Sequence, residues 1–299
     1  MKPTIKPTLV MLKQVDHLYH FTKKYDNIIE IFKYGFKPSY AKEKMDKVDI
    51  LVPMVSFSNI LLREVGTSEV MFYGKYSIGV TRSWGIDQNI NPVVYTYENG
   101  VLHNSMNSFL YSSIFIRVLD NYKEHFEKFS KAKAGKFSEL IHLTNTPKHS
   151  MDILDYLSTK YDEELLVVIS NYAKSIYDSN LEIVNLTKNY KVKDDSGREF
   201  IAYNDREWRK IYLDLGFLLE GSPEYDKWDK ATKPHYNEDK YLLKFDISDI
   251  KAIMVADESE ISPLIEFLSN KYGKDKIPDL LHSKALVIDI QKNLVDSGY

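Results

Sequence analysis

Leu18-Tyr19-His20-Phe21-Thr22 is an aromatic and apolar run with one titratable side chain at its centre, and its reading decides how the fold begins. Such a run reads as a strand, and alternation makes His20 the polar interruption of a buried segment. The next stretch, Tyr25 to Tyr34, sets Ile28, Ile29, Ile31 and Phe32 at helical spacing and stops at Gly35, a C-cap signal. Lys37-Pro38-Ser39-Tyr40 then turns into a polar, charge-rich stretch, 41–49, which reads as a mobile loop. Val52 to Phe57 reads as a strand closed by Ser58-Asn59. Tyr76 to Thr81 reads as another, with glycines at 74, 79 and 85 around it, and Asn91-Pro92 opens a third over Val93-Val94-Tyr95.

The middle of the chain changes period. From about Ser105 to Leu119, and from Met151 to Tyr177, apolar residues recur at three and four, as in Ile153, Leu154, Leu157 and Tyr161. These spacings predict a helical insertion over about 100–180. Lys188 to Arg198 reads as a charged turn or hairpin tip around Asp-Ser-Gly. Strands resume at Phe200 to Tyr203, Trp208 to Leu213, Tyr241 to Phe245 and Ile250 to Val255. A helix over Glu258 to Tyr272 and a strand at Ala285 to Ile290 complete the order, with Pro223 to Pro234 as a surface insertion. There is no internal repeat. The expected architecture is a single elaborated α+β domain over 1–299, with a split, largely antiparallel sheet interrupted by helices.

Composition narrows the function classes. Of 299 residues, 43% are hydrophobic and 28% charged, ordinary values for a globular protein. The net charge of −3 gives no global pull towards nucleic acid, while leaving a local basic cleft open. The chain has no cysteine, which excludes disulfides, thiolate nucleophiles and cysteine-ligated metal centres. No apolar run approaches the roughly 20 residues that span a bilayer, and the N-terminal stretch lacks a signal-peptide pattern, so a cytoplasmic protein with no membrane partner is expected. The 22 tyrosines suit half-buried strands as well as pockets that stack a planar ligand.

Most catalytic constellations are missing. His17 and His20 are three apart beside Asp16, yet on a strand they point opposite ways, and the other histidines show no HExxH spacing. No metal is therefore expected. There is no GxSxG elbow around Ser56 or Ser58, and Gly74 to Gly79 matches neither a P-loop nor GxGxxG. Asp205-Arg206-Glu207-Trp208-Arg209 is more informative. Strand alternation gives Glu207 and Arg209 one face and Trp208 the other. Cations beside Glu207 keep its carboxylate ionised. Such a group either forms a strand ion pair with Arg209 or a neighbouring strand, or faces a cleft and stabilises positive charge developing at an anomeric carbon.

Taken together, L-Y-H-F-T, N-I-I-E-I-F-K-Y-G-F-K-P-S-Y, P-M-V-S-F-S-N-I, Y-G-K-Y-S-I-G-V, N-P-V-V-Y and Y-N-D-R-E-W-R-K resemble the AbiGi family of abortive-infection proteins. The likeness covers most of 18–96 and then 200–213. It implies a role in phage defence and a partner protein, a cognate toxin or antitoxin. A wider likeness runs to the ADP-ribosyltransferase fold of DarT-like toxins and poly-ADP-ribose polymerases, and it implies NAD as co-substrate. By that likeness Glu207 is the catalytic residue, holding the nicotinamide ribose and stabilising the oxocarbenium-like transition state. His20 holds the adenosine ribose, Tyr34 or Tyr76 stacks on nicotinamide, and Thr22, Ser56 and Arg209 join them around the cofactor. Two functions stay open: transfer of ADP-ribose from NAD to nucleic acid or protein, and a non-enzymatic antitoxin that binds and neutralises a toxin.

Overall fold

The computed structural model describes residues 16–45, 48–61, 73–106, 108, 183, 185–193, 197, 199–220, 225, 227–228, 238–277 and 286–289. The chain divides into two compact units. One holds the N-terminal residues to Ile29, Phe57–Asp87 and Phe245 onward; the other holds Glu30–Ser56 and Gln88–Lys244. The expected helices at 105–119 and 151–177 fall almost wholly outside the described residues, as does most of Pro223 to Pro234.

In the first unit, strand β1 (His17–Thr22) pairs antiparallel with β4 (Tyr76–Thr81), from His17 opposite Thr81 to Thr22 opposite Tyr76. On its other side β1 meets the last residue of β3 (Val48–Ser58), Tyr19 opposite Ser58. Beyond β4 lies β12 (Ile250–Val255), antiparallel, and then β13 (Leu286–Asp289), parallel. Strict alternation gives way here. Leu18 and Tyr19 are both buried, and so is the whole run Ala252 to Val255, because strands covered on both faces bury consecutive side chains. Gly79 has a packing reason, since a Cβ there would lie 2.7 Å from the Tyr19 ring that crosses the strand. Helix α2 (Arg82–Asp87) follows β4, and its Trp84 packs edge-on against Phe57 and Phe245. Helix α3 (Ile261–Tyr272) buries Leu264 and Leu268.

Helix α1 (Tyr25–Tyr34) matches the expected span, with Ile28, Ile31 and Phe32 buried. Asp26 in its first turn and Lys33 in its last complement the helix dipole. Gly35 ends it with φ +97°, its N–H donating to the Ile31 carbonyl at 2.8 Å, the left-handed position that glycine occupies without a Cβ penalty.

In the second unit, β2 (Ser39–Met45) runs antiparallel along β3, from Ser39 opposite Met54 to Met45 opposite Val48. The expected loop over 41–49 is thus corrected to paired strands over 41–45 and 48–49. Its charges had the appearance of a solvated loop, but Lys42 and Glu43 alternate, so each face of the strand meets a different environment. Ala41 lies opposite Val52 and packs with Ile211 and Phe217 on a cluster of Ile50, Val52 and Met54, while Tyr40 donates its hydroxyl to the Leu215 carbonyl at 2.9 Å. Strand β11 (Leu218–Leu219) pairs with β3, and β10 (Glu207–Ile211) lies between β3 and the two-residue β5 (Asn91–Pro92).

Two small ribbons complete this unit. β6 (Val94–Thr96) runs parallel to β7 (Thr187–Asn189), and β8 (Lys191–Lys193) antiparallel to β9 (Glu199–Ile201), so strands occupy the first part of the stretch 188–198 that reads as a turn or hairpin tip. A second correction concerns 241–245. A 3-10 turn, Asp239–Tyr241, replaces the strand's start, and only Leu243 pairs, exchanging two hydrogen bonds of 3.0 Å with Phe36. Tyr241 and Leu243 are buried and Lys244 is exposed, so the strand-like alternation is satisfied by packing without a ladder. The observed class is α+β with largely antiparallel pairing. Among the described residues no helix is long and apolar enough to cross a membrane.

Candidate functional site

The strand bearing Glu207 starts from a distorted turn. After the 3-10 turn Ala202–Asp205, Arg206 adopts a left-handed conformation, φ 43° and ψ 54°, with its N–H donating to the Tyr203 carbonyl at 3.1 Å. A non-glycine residue held there redirects the chain sharply. It sends Glu207 and Arg209 to one buried face of β10 and leaves Trp208 half-buried on the other, as alternation requires.

Glu207 and Arg209 form the core of a closed polar network. Arg209 Nε donates to Glu207 Oε1 at 2.7 Å and its terminal nitrogen to Oε2 at 3.2 Å, a two-pronged contact. That same nitrogen donates at 2.7 Å to Glu43 on β2, and the other donates at 3.0 Å to the Asn185 carbonyl. Lys188 on β7 donates to Glu207 Oε2 at 2.7 Å. The Glu207 backbone N–H donates to the Tyr95 hydroxyl at 2.7 Å, and its carbonyl accepts from Val93 at 2.8 Å. Tyr95 and Lys188 are register partners across β6 and β7, so the network's third side is built by strand pairing. The Arg209 side chain is fully buried, that of Glu207 is 9% exposed and that of Lys188 13%.

Two carboxylates and two cations make this cluster neutral, which is what allows four charges to leave water together. Burial alone raises the Glu207 pKa, but Arg209 and Lys188 outweigh it and hold the carboxyl down at about 2. For Arg209, burial lowers the pKa, while Glu207 and Glu43 reverse that and keep the guanidinium charged. Burial pushes the Tyr95 phenol up to about 12, so it accepts the Glu207 amide as a neutral hydroxyl.

A pH dependence follows. Because the folded pKa of Glu207 lies below its ordinary 4.5, its contribution to stability is complete above about 4.5 and is lost as the pH falls towards about 2. Urea denaturation across that window should show a loss of stability that is smaller in Glu207→Gln. Equal acid sensitivity in both proteins would mean that other carboxylates carry it.

The other residues named from sequence divide between the units. His20, Thr22 and Tyr76 belong to the first unit, Tyr34 and Ser56 to the second with Glu207 and Arg209. His20 is half-buried opposite Ile78, its ring 5.6 Å from Phe57. Thr22 is buried and its hydroxyl accepts from the Asn27 amide. Tyr76 donates its hydroxyl to Glu260 at 2.8 Å, and burial followed by that carboxylate raises the phenol to about 12. Tyr34 is exposed with the Lys37 ammonium 4.7 Å from its ring centre, and Ser56 is exposed on β3. Sequence reasoning missed Glu43, Tyr95, Asn185 and Lys188. Lys188 and Glu43 carried a faint signal as charges in stretches read as turn and loop; Tyr95 and Asn185 carried none.

Comparison with known proteins adds a family. The family model that matches, over residues 37–256, is described as abortive phage resistance protein AbiGi, antitoxin. An abortive phage resistance protein AbiGi of Lactococcus lactis subsp. cremoris is 24% identical, over 85% of this chain and 97% of the relative. No solved structure matches the chain. The matched range contains Ser56, Tyr76, Glu207 and Arg209 and begins after His20, Thr22 and Tyr34.

Proposed function

The chain belongs to the AbiGi family of abortive phage resistance proteins, and from that premise we propose that it acts as the antitoxin of a phage-defence pair, binding a toxin and holding it in check. The observation that carries this reading at the site is the committed state of Glu207. Both of its oxygens are taken by Arg209 and Lys188 inside a neutral, buried cluster, the arrangement of a side chain that organises strands. A carboxylate that stabilises an oxocarbenium-like transition state instead has to face the reacting sugar. Co-expression tests the reading. The chain alone should leave cells growing normally and should restore growth when its partner toxin is produced. Toxicity of the chain alone, abolished in a folded Glu207→Gln, would make it the effector.

Transfer of ADP-ribose from NAD is the second reading, and the order of elements supports it. His20 on β1, the glycine-ended α1, Ser56 on β3 and Glu207 on β10 follow the sequence of parts that ADP-ribosyltransferases use. On this reading a ligand displaces Lys188 or Arg209 from Glu207, and nucleic acid or protein accepts the ADP-ribose. Calorimetry with NAD should then give binding that weakens in His20→Ala. No heat at about millimolar NAD removes the cofactor.

A further inference from the structure

The ribbon of β6 and β7 is fastened to β10 through a polar clasp. Lys188 donates to Glu207 Oε2, and the Tyr95 hydroxyl accepts the Glu207 amide. The Glu207 carbonyl accepts from Val93, and a terminal nitrogen of Arg209 donates to the Asn185 carbonyl. Each of these bonds ends on Glu207 or Arg209. The ribbon's own cohesion is separate, with Val94 donating to Leu186 and Tyr190 to Thr96, both at 2.7 Å. Apolar burial adds little to the attachment. Val93 is buried, but Val94 is 49% exposed, Leu186 is half-buried, and the buried residues Thr96 and Asn185 are polar. Strand β3, in the same unit, instead buries Ile50, Leu51, Val52, Met54 and Val55.

Opening such a ribbon differs in cost from opening the sheet. Apolar surface released from β3 is unfavourable in water, whereas Lys188, Glu207, Arg209 and Glu43 recover hydration that offsets the contacts they lose. Segments with few buried apolar contacts open at lower free energy than the core beside them. We propose that the β6–β7 ribbon is a strap that lifts off β10 while β2 and β3 stay folded, with Glu207 and Arg209 as its clasp. Closed, the strap buries both side chains; open, it turns them to water. In chain order residues 97–186 lie between β6 and β7, so the strap holds both ends of that insertion. A partner that binds the insertion with different affinity for the two states therefore shifts the exposure of Glu207 and Arg209. The strap is a property of the chain alone, and its failure leaves the co-expression test of toxin neutralisation untouched.

Native-state hydrogen exchange of the full chain in sub-denaturing urea tests it. The Val93 and Glu207 amides bridge the ribbon and β10, and they should exchange together with less protection than the amides of β3. Lys188→Met leaves a carboxylate in the cluster unbalanced, and it should lower protection at these two amides by about 100-fold while β3 keeps its own. Tyr95→Phe takes the acceptor from the Glu207 amide and keeps the ring beside Tyr203. It should lower protection at Val93 by about 10-fold, and it serves as the milder probe if the methionine variant does not fold. Bridging amides that exchange only together with β3, in one global unfolding, overturn the proposal. So does a loss in the variants that is equal at the ribbon and at β3, and so does unchanged protection of Val93 in both variants.

Discussion

Replacing Arg209 with methionine should cost about 3–5 kcal/mol of stability, the range found when one partner is removed from a buried ion pair. Methionine keeps much of the side-chain volume, so the loss is electrostatic. Glu207 and Glu43 would then share Lys188 as their cation within the cluster, and the Asn185 carbonyl would lose its donor. A lysine at 209 should not rescue the loss, because a point charge cannot reach Glu207, Glu43 and Asn185 from the positions of a guanidinium fork. Chemical denaturation of the wild type, Arg209→Met, Glu207→Gln and the double variant checks this. The double variant should be destabilised by less than the sum of the singles, by at least about 1 kcal/mol, since the two residues act as a unit. Additive losses would show that the two side chains are independent. The cycle also bears on function, because lost phage defence in Glu207→Gln speaks for catalysis only if the protein is still folded.

Trp84→Ala should be comparably damaging, at about 3–5 kcal/mol, for a different reason. Trp84 is 5% exposed, and its ring centre stands 5.9 Å from Phe57 and 6.4 Å from Phe245, both edge-on. Alanine removes the indole and leaves a cavity among rings that are themselves anchored by β3 and by the segment leading to β12. The backbone is not expected to collapse into it, because the Trp84 N–H is held by the Thr81 hydroxyl at 3.2 Å. Thermal unfolding measures the cost. Trp84→Phe, which keeps an edge-on partner, should recover much of the stability. A melting temperature within a degree or two of wild type for Trp84→Ala would show that the site repacks freely.

The site was partly legible. The pattern of Asp205-Arg206-Glu207-Trp208-Arg209 placed Glu207 and Arg209 on one face, and the structure has them in direct contact there. The ion pair was one of two readings of that pattern, and nothing local chose between them, because the choice depends on what else faces the pair. Lys188 and Glu43 arrive from strands far away in sequence, and neither stretch read as a strand that buries a charge. The loop assigned to 41–49 failed for the same reason. Lysine and glutamate in alternation are equally suited to a loop and to an outer strand of a sheet, and only the pairing with β3 separates the two.

By itself the sequence determined the elements whose signals are local. The helix from Tyr25 to its glycine stop, the strands at 18–22, 76–81 and 250–255, and the final helix and strand all follow from periodicity, capping and turn chemistry between neighbours in the chain. The family likeness was legible too, as a set of short motifs in a fixed order. Tertiary structure alone decided what those motifs do. It turned Leu243 into a bridge to Phe36, set Tyr19 across Gly79 and brought Glu43, Tyr95, Asn185 and Lys188 around Glu207 and Arg209. A charge can be buried only where opposite charges and hydrogen-bond donors converge from several strands at once, and that convergence is a property of strand pairing, which no single stretch of sequence encodes.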